Sequence, residues 1–422
     1  MPQPTTSHVR HRVIAFCVAL AAITYMDRVA IANMAKFVTR DLELTDEQMS
    51  LVFSAFTLAY GAFEIPTGRW GDKIGTRRVL MRIVSWWSAF TIATAGAFNY
   101  ASLLAIRFLF GVGEAGAWPN AAKTFSKWVP LTERGRTQGI FFAGAFFGAA
   151  YTPILIQWLL TILNWRGVFF VFGCVGFVWA ALWFRWFRDE PSEHPEVSPA
   201  ERDLIAKGRA PESSHDLKSA PWAEILRSPN IWLLCLMYFT QSYGFYFYLT
   251  WMPTYLERIR GFSSTSLSLF AGAPMVACMI AGVTGGLTTD KLTPKLGLRL
   301  GRGIAGGISF VCASAFTFIG ASAQDPTSAA ILLAIAAGWT AFCLGAAWGA
   351  CLDISGSHAG VVGACMNTAG QVGGFLSPII LAQLVKHFGD WSIALQVSGC
   401  LFLVGAICWV FIDPTKPLRA SH

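Results

Sequence analysis

Apolar windows about 20 residues long recur twelve times along this chain, separated by short polar connections. A run of that length covers the ~30 Å hydrocarbon core of a bilayer at 1.5 Å per residue, so each window predicts one transmembrane helix. The first six lie near residues 13–35, 48–68, 79–98, 100–122, 137–162 and 167–186. The second six lie near 230–256, 265–288, 303–322, 327–351, 360–385 and 391–412. Between the sets the pattern breaks: Glu190, Pro191, Glu193, Pro195, Glu196 and Pro199 open a charged, proline-punctuated stretch that cannot enter lipid. This predicts a cytoplasmic linker over 188–228, carrying one short surface helix over 199–208, between six-helix bundles 1–187 and 229–422. The opening Arg10-His11-Arg12 ahead of an apolar run has the outline of a signal peptide. The run is too long for one, contains Asp27 and Arg28, and shows no convincing cleavage site before the next span.

Composition narrows the class. Of 422 residues, 54% are hydrophobic and 13% charged, too few polar groups to wrap a soluble fold of this size. A formal charge of +8 could suggest nucleic acid, but the bases sit in short clusters between apolar windows, as membrane topology requires. Of 32 Lys and Arg, 23 fall in the tails and even-numbered connections and 6 in the odd-numbered ones, which puts both termini in the cytoplasm. Arg28, Arg82 and Arg107 lie within spans. The ten cysteines occur singly with no CxxC spacing and read as packing residues.

The halves repeat each other. Gly68-Arg-Trp-Gly-Asp72-Lys73 returns as Gly286-Leu-Thr-Thr-Asp290-Lys291, and Ala143-Gly144 with Gly148 returns as Ala369-Gly370 with Gly374. An even number of spans per half implies a parallel repeat about the membrane normal, with a central cavity between the halves.

An ionisable side chain near the bilayer centre costs roughly 2.5–3.5 kcal/mol, so each needs a partner or a purpose. Asp27 and Arg28 lie midway along the first span, and Arg107 and Glu114 run through the fourth. On a helix, Arg107, Gly111 and Glu114 share one stripe, with the two charges ~10 Å apart along the axis, so another span must neutralise Arg107. Asp27 is the candidate. Asp27 and Arg28 point about 100° apart, which leaves one of them free to address a cavity. A static ion-pair cluster that merely holds the N-terminal half together is the competing reading. With both carboxylates ionised the four charges sum to zero; an arriving monoanion makes the site −1, and one proton restores it. Proton and anion then favour each other's binding, the thermodynamic basis of symport.

Other signals carry less. Gly111-Val-Gly113-Glu-Ala-Gly116 matches the GxGxxG dinucleotide fingerprint, but its glycines interrupt one apolar helix and read as packing residues, as do Gly144/Gly148, Gly282/Gly286 and Gly370/Gly374. The seven histidines lie in tails, connections or span ends, which disfavours a histidine relay or an intramembrane metal site. There is no GxxxxGK[ST] and no cluster with catalytic spacing, so an enzyme is not expected.

Gly68-Arg69-Trp70-Gly71-Asp72-Lys73-Ile74-Gly75-Thr76-Arg77-Arg78 resembles the loop signature of the major facilitator superfamily, over a chain that matches its length throughout. Tyr25-Met-Asp27-Arg28, Arg107-Phe-Leu-Phe-Gly111-x-Gly113-Glu114 and Met366-Asn367-x-x-Gly370 are similar to its anion:cation symporter family. The resemblance implies an all-α integral membrane protein with twelve transmembrane helices in two pseudo-symmetric six-helix bundles, the major facilitator fold. It implies that Arg28 contacts a substrate carboxylate, that Asp27 and Glu114 take part in protonation, and that Arg107 pairs with an acid of the cluster. Tyr25, Tyr60, Trp348 and Asn367 would line the site, and Gly68, Asp72, Lys73, Gly75, Arg77, Arg78 and Asp290 would form the cytoplasmic gate motif. Gly144-Ala145 departs from the Gly-Gln of galactonate-type relatives, which leaves the exact aldonate open; Gln371, at the repeat-equivalent position, could supply the missing group. The spacing of Tyr243, Tyr246 and Tyr248 does not separate cavity, gate and lipid-facing roles.

The expectation is therefore a proton-coupled symporter of a hexuronate, aldonate or related sugar acid, working by alternating access in the plasma membrane of a bacterium. Its partners are a small organic anion, protons and lipid, with no nucleic acid, no metal and no cofactor, and it functions as a monomer. A sodium-coupled or uncoupled anion carrier, or a transporter-like anion sensor, are the alternatives.

Overall fold

The computed structural model describes residues 7–207, 222–355 and 359–418, apart from the side chains of residues 65, 68, 69, 71–73, 131, 132, 134, 135, 207, 359 and 360. Its helices begin with α1 (Val9–Asn33), α2 (Ala35–Asp41), α3 (Asp46–Ile74), α4 (Thr76–Ala95), α5 (Tyr100–Glu114), α6 (Ala117–Trp128), α7 (Leu131–Leu159) and α8 (Trp165–Trp186). They continue as α9 (Pro199–Lys207), α10 (Trp222–Arg227), α11 (Pro229–Thr250), α12 (Met252–Arg258), α13 (Ser264–Ser322), α14 (Pro326–Phe342), α15 (Leu344–Ser355), α16 (Ala359–Phe388) and α17 (Trp391–Phe411). Every predicted window falls on a helix or on an interrupted pair. Eight stretches among the described residues are long and apolar enough to cross a membrane.

Local chemistry explains the interruptions. The fourth window breaks at Ala115-Gly116, just after Glu114, into α5 and α6. Asn120 ties the two sides together, its amide donating to the Gly116 carbonyl at 2.8 Å and to the Thr67 carbonyl of α3 at 3.3 Å. The seventh breaks at Trp251 ahead of Pro253, whose missing N–H suits a helix start. The eighth and ninth windows join in α13, whose 59 residues could extend roughly 90 Å. Gly297, at φ 81°, turns the chain inside it, a conformation that costs a residue with a Cβ.

The chain forms two compact units: residues 1–30, 40–44 and 58–213, and residues 31–39, 45–57 and 214–422. In the first, α7 lies against α1 through its glycines: a Cβ on Gly148 would come within 2.3 Å of the Ala22 carbonyl, and one on Gly144 within 2.6 Å of Val18. In the second, the glycines offset by 226 act alike. A Cβ on Gly370 would meet Ser242, and one on Gly374 the Tyr246 ring, both on α11. The same crossing recurs in both units because small residues let helix backbones approach where no water drives them together. Gly285 rather than Gly282 carries the contact on α13; Gly282 faces open space.

The second unit includes the first turns of α3. There Arg258 pairs with Asp46 at 2.9 Å, Lys386 with Glu47 at 2.7 Å, and Lys36 with Glu257, while Ser54 donates to the Phe375 carbonyl at 2.8 Å. The hydrogen bond from Lys386 holds the Glu47 carboxyl down to about 2.

The segment expected to be an aqueous linker carries structure in both of its described parts, 187–207 and α10. Residues 187–207 pack within the first unit, and α9 forms where the surface helix was expected; residues 208–221 lie outside the described residues. Glu201 accepts from Ser7 Oγ at 2.5 Å, from the amides of Val9 and Arg10 at 3.1 and 3.2 Å, and from the Arg10 guanidinium at 3.1 Å. A buried carboxylate thus caps α1, where it meets unpaired N–H groups and the positive end of the helix dipole. Arg10 also binds Glu133 at 3.1 Å, which links this cap to α7. Asp189 Oδ1 caps α4 in the same way, accepting from Thr76 Oγ1 at 3.1 Å and from the Arg77 amide at 2.9 Å. Gly75, at φ 82°, lets the chain pass so close that a Cβ would lie 2.5 Å from Asp189.

His194 is buried in this segment, edge-on to the rings of Trp128 and Trp186 at 5.8 and 4.8 Å. Burial lowers its pKa from 6.5, against the opposing pull of Glu196. Burial alone would raise the Glu201 carboxyl, but the hydrogen bonds from Ser7, Arg10 and Val9 bring it below its ordinary 4.5. Both groups are depressed on folding, so both contribute stability that is full above their unfolded values and lost as pH falls: His194 below about 6.5, Glu201 only below about 4.5. Lowering the pH from about 7.5 to about 5.5 should therefore raise protease cleavage within 187–207 roughly threefold, and His194→Phe should abolish that rise. Cleavage that is flat across this range in the unmutated protein would remove the histidine from the docking.

Candidate functional site

The first unit concentrates charge where the sequence placed it. Asp27 is 1% exposed, Arg107 2% and Glu114 0%, all inside helices that are otherwise apolar. α1 brings in Asp27 and Arg28 two turns before its end; α5 brings in Arg107 and ends on Glu114. The glycines around Glu114 serve packing, as expected. A Cβ on Gly113 would lie 2.1 Å from the Trp86 ring, and one on Gly116 would meet Ile83 and Thr67. These close contacts hold the end of α5 against α4 and α3.

Arg28 is the centre of the cluster. Its Nε donates to Glu114 Oε1, and the side chains of the pair are 9% and 0% exposed. Its guanidinium lies 5.1 Å from the Tyr25 ring centroid and 4.7 Å from that of Tyr60, on α3. An arginine held between two aromatic faces and one carboxylate keeps a planar donor fork in a fixed direction. Tyr25 is itself set edge-on to Trp118 and Phe146 at 6.2 and 6.1 Å. Arg107 sits 4.2 Å over the Phe110 ring and within electrostatic reach of Asp27, Glu114 and Arg28. The structure therefore brings together Tyr25, Asp27, Arg28, Tyr60, Arg107 and Glu114, and makes Arg28 the direct partner of Glu114.

Two neighbours of Asp27 were not found from the sequence. Trp87 and Thr91, one turn apart on α4, both bear on its charge. The available signal was a polar group recurring at i, i+4 in an apolar helix, easily taken for packing. Asp189, which caps α4, was also missed.

The second unit holds Trp348, Asn367 and Gln371. Gln371 accepts from the Tyr246 hydroxyl at 3.3 Å, and Trp348 is edge-on to Tyr238 at 6.1 Å. Asn367 lies one turn before Gln371 on α16. Tyr243, Tyr246 and Tyr248 are all buried, so none of the three faces lipid. Gln241 and Ser242 of α11 add a buried polar pair that the sequence did not single out, joined at 3.2 Å.

Of the residues expected to form a gate motif, Gly75 takes the positive φ described above, and Arg77 donates to the Phe184 carbonyl at 2.9 and 2.6 Å. Arg78 and Asp290 are exposed, while the side chains at Gly68, Asp72 and Lys73 lie outside the described residues. Asp353 pairs with Arg302 at 3.1 Å.

Comparison with known proteins gives a consistent result. The family model described as Major Facilitator Superfamily matches residues 17–378. The chain is 33% identical over 412 residues to the "Probable sulfoacetate transporter SauU" of Cupriavidus necator, covering 96% of this chain and 94% of that one. It is 28% identical to the "Hexuronate transporter" of Bacillus subtilis, covering 95% and 94%. Among solved structures, a bacterial homolog to the human lysosomal transporter Spinster, inward-facing and unoccupied, superposes with a TM-score of 0.72 at 19% identity, covering 97% and 95%. That likeness bears on the fold.

Removing one member of a buried ion pair strands the other. Glu114→Ala should destabilise the protein by about 3–5 kcal/mol, whereas Arg28→Met with Glu114→Leu should cost clearly less than the two single changes added together. Thermal unfolding in detergent measures both; strictly additive losses would mean that the pair is not coupled.

Proposed function

The chain belongs to the Major Facilitator Superfamily, a family of multi-pass membrane transporters rather than enzymes, and on that footing we propose that it carries a small organic monoanion together with protons by alternating access. The cargo is a hexuronate, an aldonate or a related sugar acid, and the site of action is the bacterial inner membrane, with both termini cytoplasmic. Similarity to relatives named for hexuronate and sulfoacetate transport supports an anionic cargo. The excess of Lys and Arg in the tails and even-numbered connections supports the orientation.

The observation that carries the reading is the Arg28–Glu114 pair between Tyr25 and Tyr60. Without cargo, Glu114 neutralises Arg28 internally. A cargo carboxylate competes for the same guanidinium, and it wins when Glu114 takes up a proton and releases its partner. With Glu114 protonated the side chains of Asp27, Arg28, Arg107 and Glu114 sum to +1, and the bound anion returns the site to zero. Neither species is comfortable alone in a buried site, so each raises the affinity for the other. Tyr25 and Tyr60 keep Arg28 aimed; Trp348, Asn367 and Gln371 are proposed as further cargo-binding residues, and Gly68, Asp72, Lys73, Gly75, Arg77, Arg78 and Asp290 as the gate of the cytoplasmic side.

In proteoliposomes, uptake of a hexuronate or aldonate should rise as the external pH falls and collapse with a protonophore. Glu114→Gln should keep counterflow exchange while losing proton-driven accumulation, and Arg28→Ala should lower anion binding at least about a hundredfold. Uptake that follows a sodium gradient and ignores the pH gradient would replace proton coupling with sodium coupling.

A further inference from the structure

We propose that Trp87 and Thr91 of α4 are positioning residues for Asp27, supplying the hydrogen-bond donors that receive its carboxylate once it has given up its proton. The proposal rests on the proton-coupled reading above and extends it to a helix to which no transport role has been assigned. A carboxyl group that cycles a proton must be tolerated in two forms. The neutral form suits a dry site; the charged form needs donors, because a buried carboxylate without them is strongly disfavoured.

Arg28, the neighbour of Asp27 on α1, is committed to Glu114 and to two aromatic rings. On α5, Glu114 opposes a negative charge on Asp27 and Arg107 favours one. Arg107 contributes charge from over Phe110. That leaves α4. Trp87 is fully buried, and its Nε1 has no hydrogen-bond partner; both carboxylate oxygens of Asp27 also have none. The Trp87 indole N–H and the Thr91 hydroxyl lie within weak hydrogen-bonding reach of the Asp27 carboxyl, at contacts that fall short of fully formed bonds. The Thr91 hydroxyl donates back to the Trp87 carbonyl at 3.1 Å, a weak i, i−4 bond that a rotamer change releases. In the arrangement seen here both donors stand beside the carboxyl without making a full bond to it. When Asp27 ionises, a small adjustment lets the indole N–H and the hydroxyl donate to it, which fixes its direction relative to Arg107.

Isosteric changes test this. Trp87→Phe keeps an aromatic ring and removes the N–H; Thr91→Val keeps the shape and removes the hydroxyl; Thr91→Ser restores the hydroxyl. Infrared difference spectra of purified protein, with the Asp27 acid band identified by its loss in Asp27→Asn, give the pH at which that band disappears. In Trp87→Phe and in Thr91→Val this midpoint should move upward by about 0.5–1 pH unit, and in Thr91→Ser it should return to the original value. In proteoliposomes the same two variants should keep counterflow exchange, while net proton-driven uptake falls roughly three- to tenfold and its alkaline limit shifts in parallel. A midpoint that stays in place in folded Thr91→Val and Trp87→Phe overturns the proposal; should the tryptophan variant fail to fold, the Thr91→Val and Thr91→Ser pair decides. Equal loss of exchange and net uptake with an unmoved midpoint also overturns it, since that marks a purely structural role. An unmutated protein that accumulates no anion under a pH gradient would defeat proton coupling itself, and the infrared midpoints judge the donor pocket separately.

Discussion

Four ionisable side chains, Asp27, Arg28, Arg107 and Glu114, occupy a region of the first unit from which water is largely excluded. They are best tolerated there as a set whose charges cancel, because a lone buried charge carries a desolvation cost that no partner repays. That requirement shapes what surrounds them. It explains why Arg28 is clasped by Glu114 and backed by two tyrosine rings, why α5 must end where Glu114 can reach α1, and why α4 is pressed against both α5 and α8 by glycines with no room for a side chain. A site balanced in this way is also poised to respond when one more charge arrives.

The same logic separates the groups that bind from those that hold. Arg28 has a planar fork and a partner that can be displaced, properties suited to a carboxylate ligand. Arg107 lies over Phe110 on its own helix and acts on both acids through its field. Asp27, adjacent to Arg28 in sequence, points elsewhere on the helix and meets α4. Neighbours in the chain thus serve different partners, as the 100° step of the α-helix requires.

Around residues 187–207 the chemistry is that of helix caps and surface ion pairs, and the stretch is more ordered than its composition suggested. The stretch after α8 is rich in proline and acid, a composition that normally signals a solvated linker. Two of its acids instead find helix N-termini: Glu201 caps α1 and Asp189 caps α4. Exposed N–H groups at the ends of long helices are strong receptors for carboxylates, and burial of Glu201 with Arg10 and of His194 among aromatic rings turns a tether into part of the unit. Nothing in the local sequence of 187–207 distinguishes an acid that will cap a helix from one that will face water.

The positions of the helices were legible in the sequence because membrane insertion is a one-dimensional constraint: about 20 apolar residues must occur in a row, and where they do a helix follows. The family was legible for a related reason, since glycine spacing and buried charge leave marks that solvent-exposed positions do not. The membership of the charged cluster could likewise be read, from the cost of placing Asp27, Arg28, Arg107 and Glu114 in apolar spans. Which acid meets which base could not. The sequence suggested Asp27 for Arg107; the tertiary structure keeps Arg107 within electrostatic reach of both Asp27 and Glu114, joins Arg28 to Glu114, and sets Asp27 near Trp87 and Thr91. Pairing depends on the rotation of each helix about its axis and on the depth at which helices cross, and both are set by contacts such as Gly148 on Ala22 and Gly113 on Trp86, between residues far apart in the chain. Periodicity and composition record what a residue must avoid, namely lipid or water, whereas its partner is chosen only once the helices have packed.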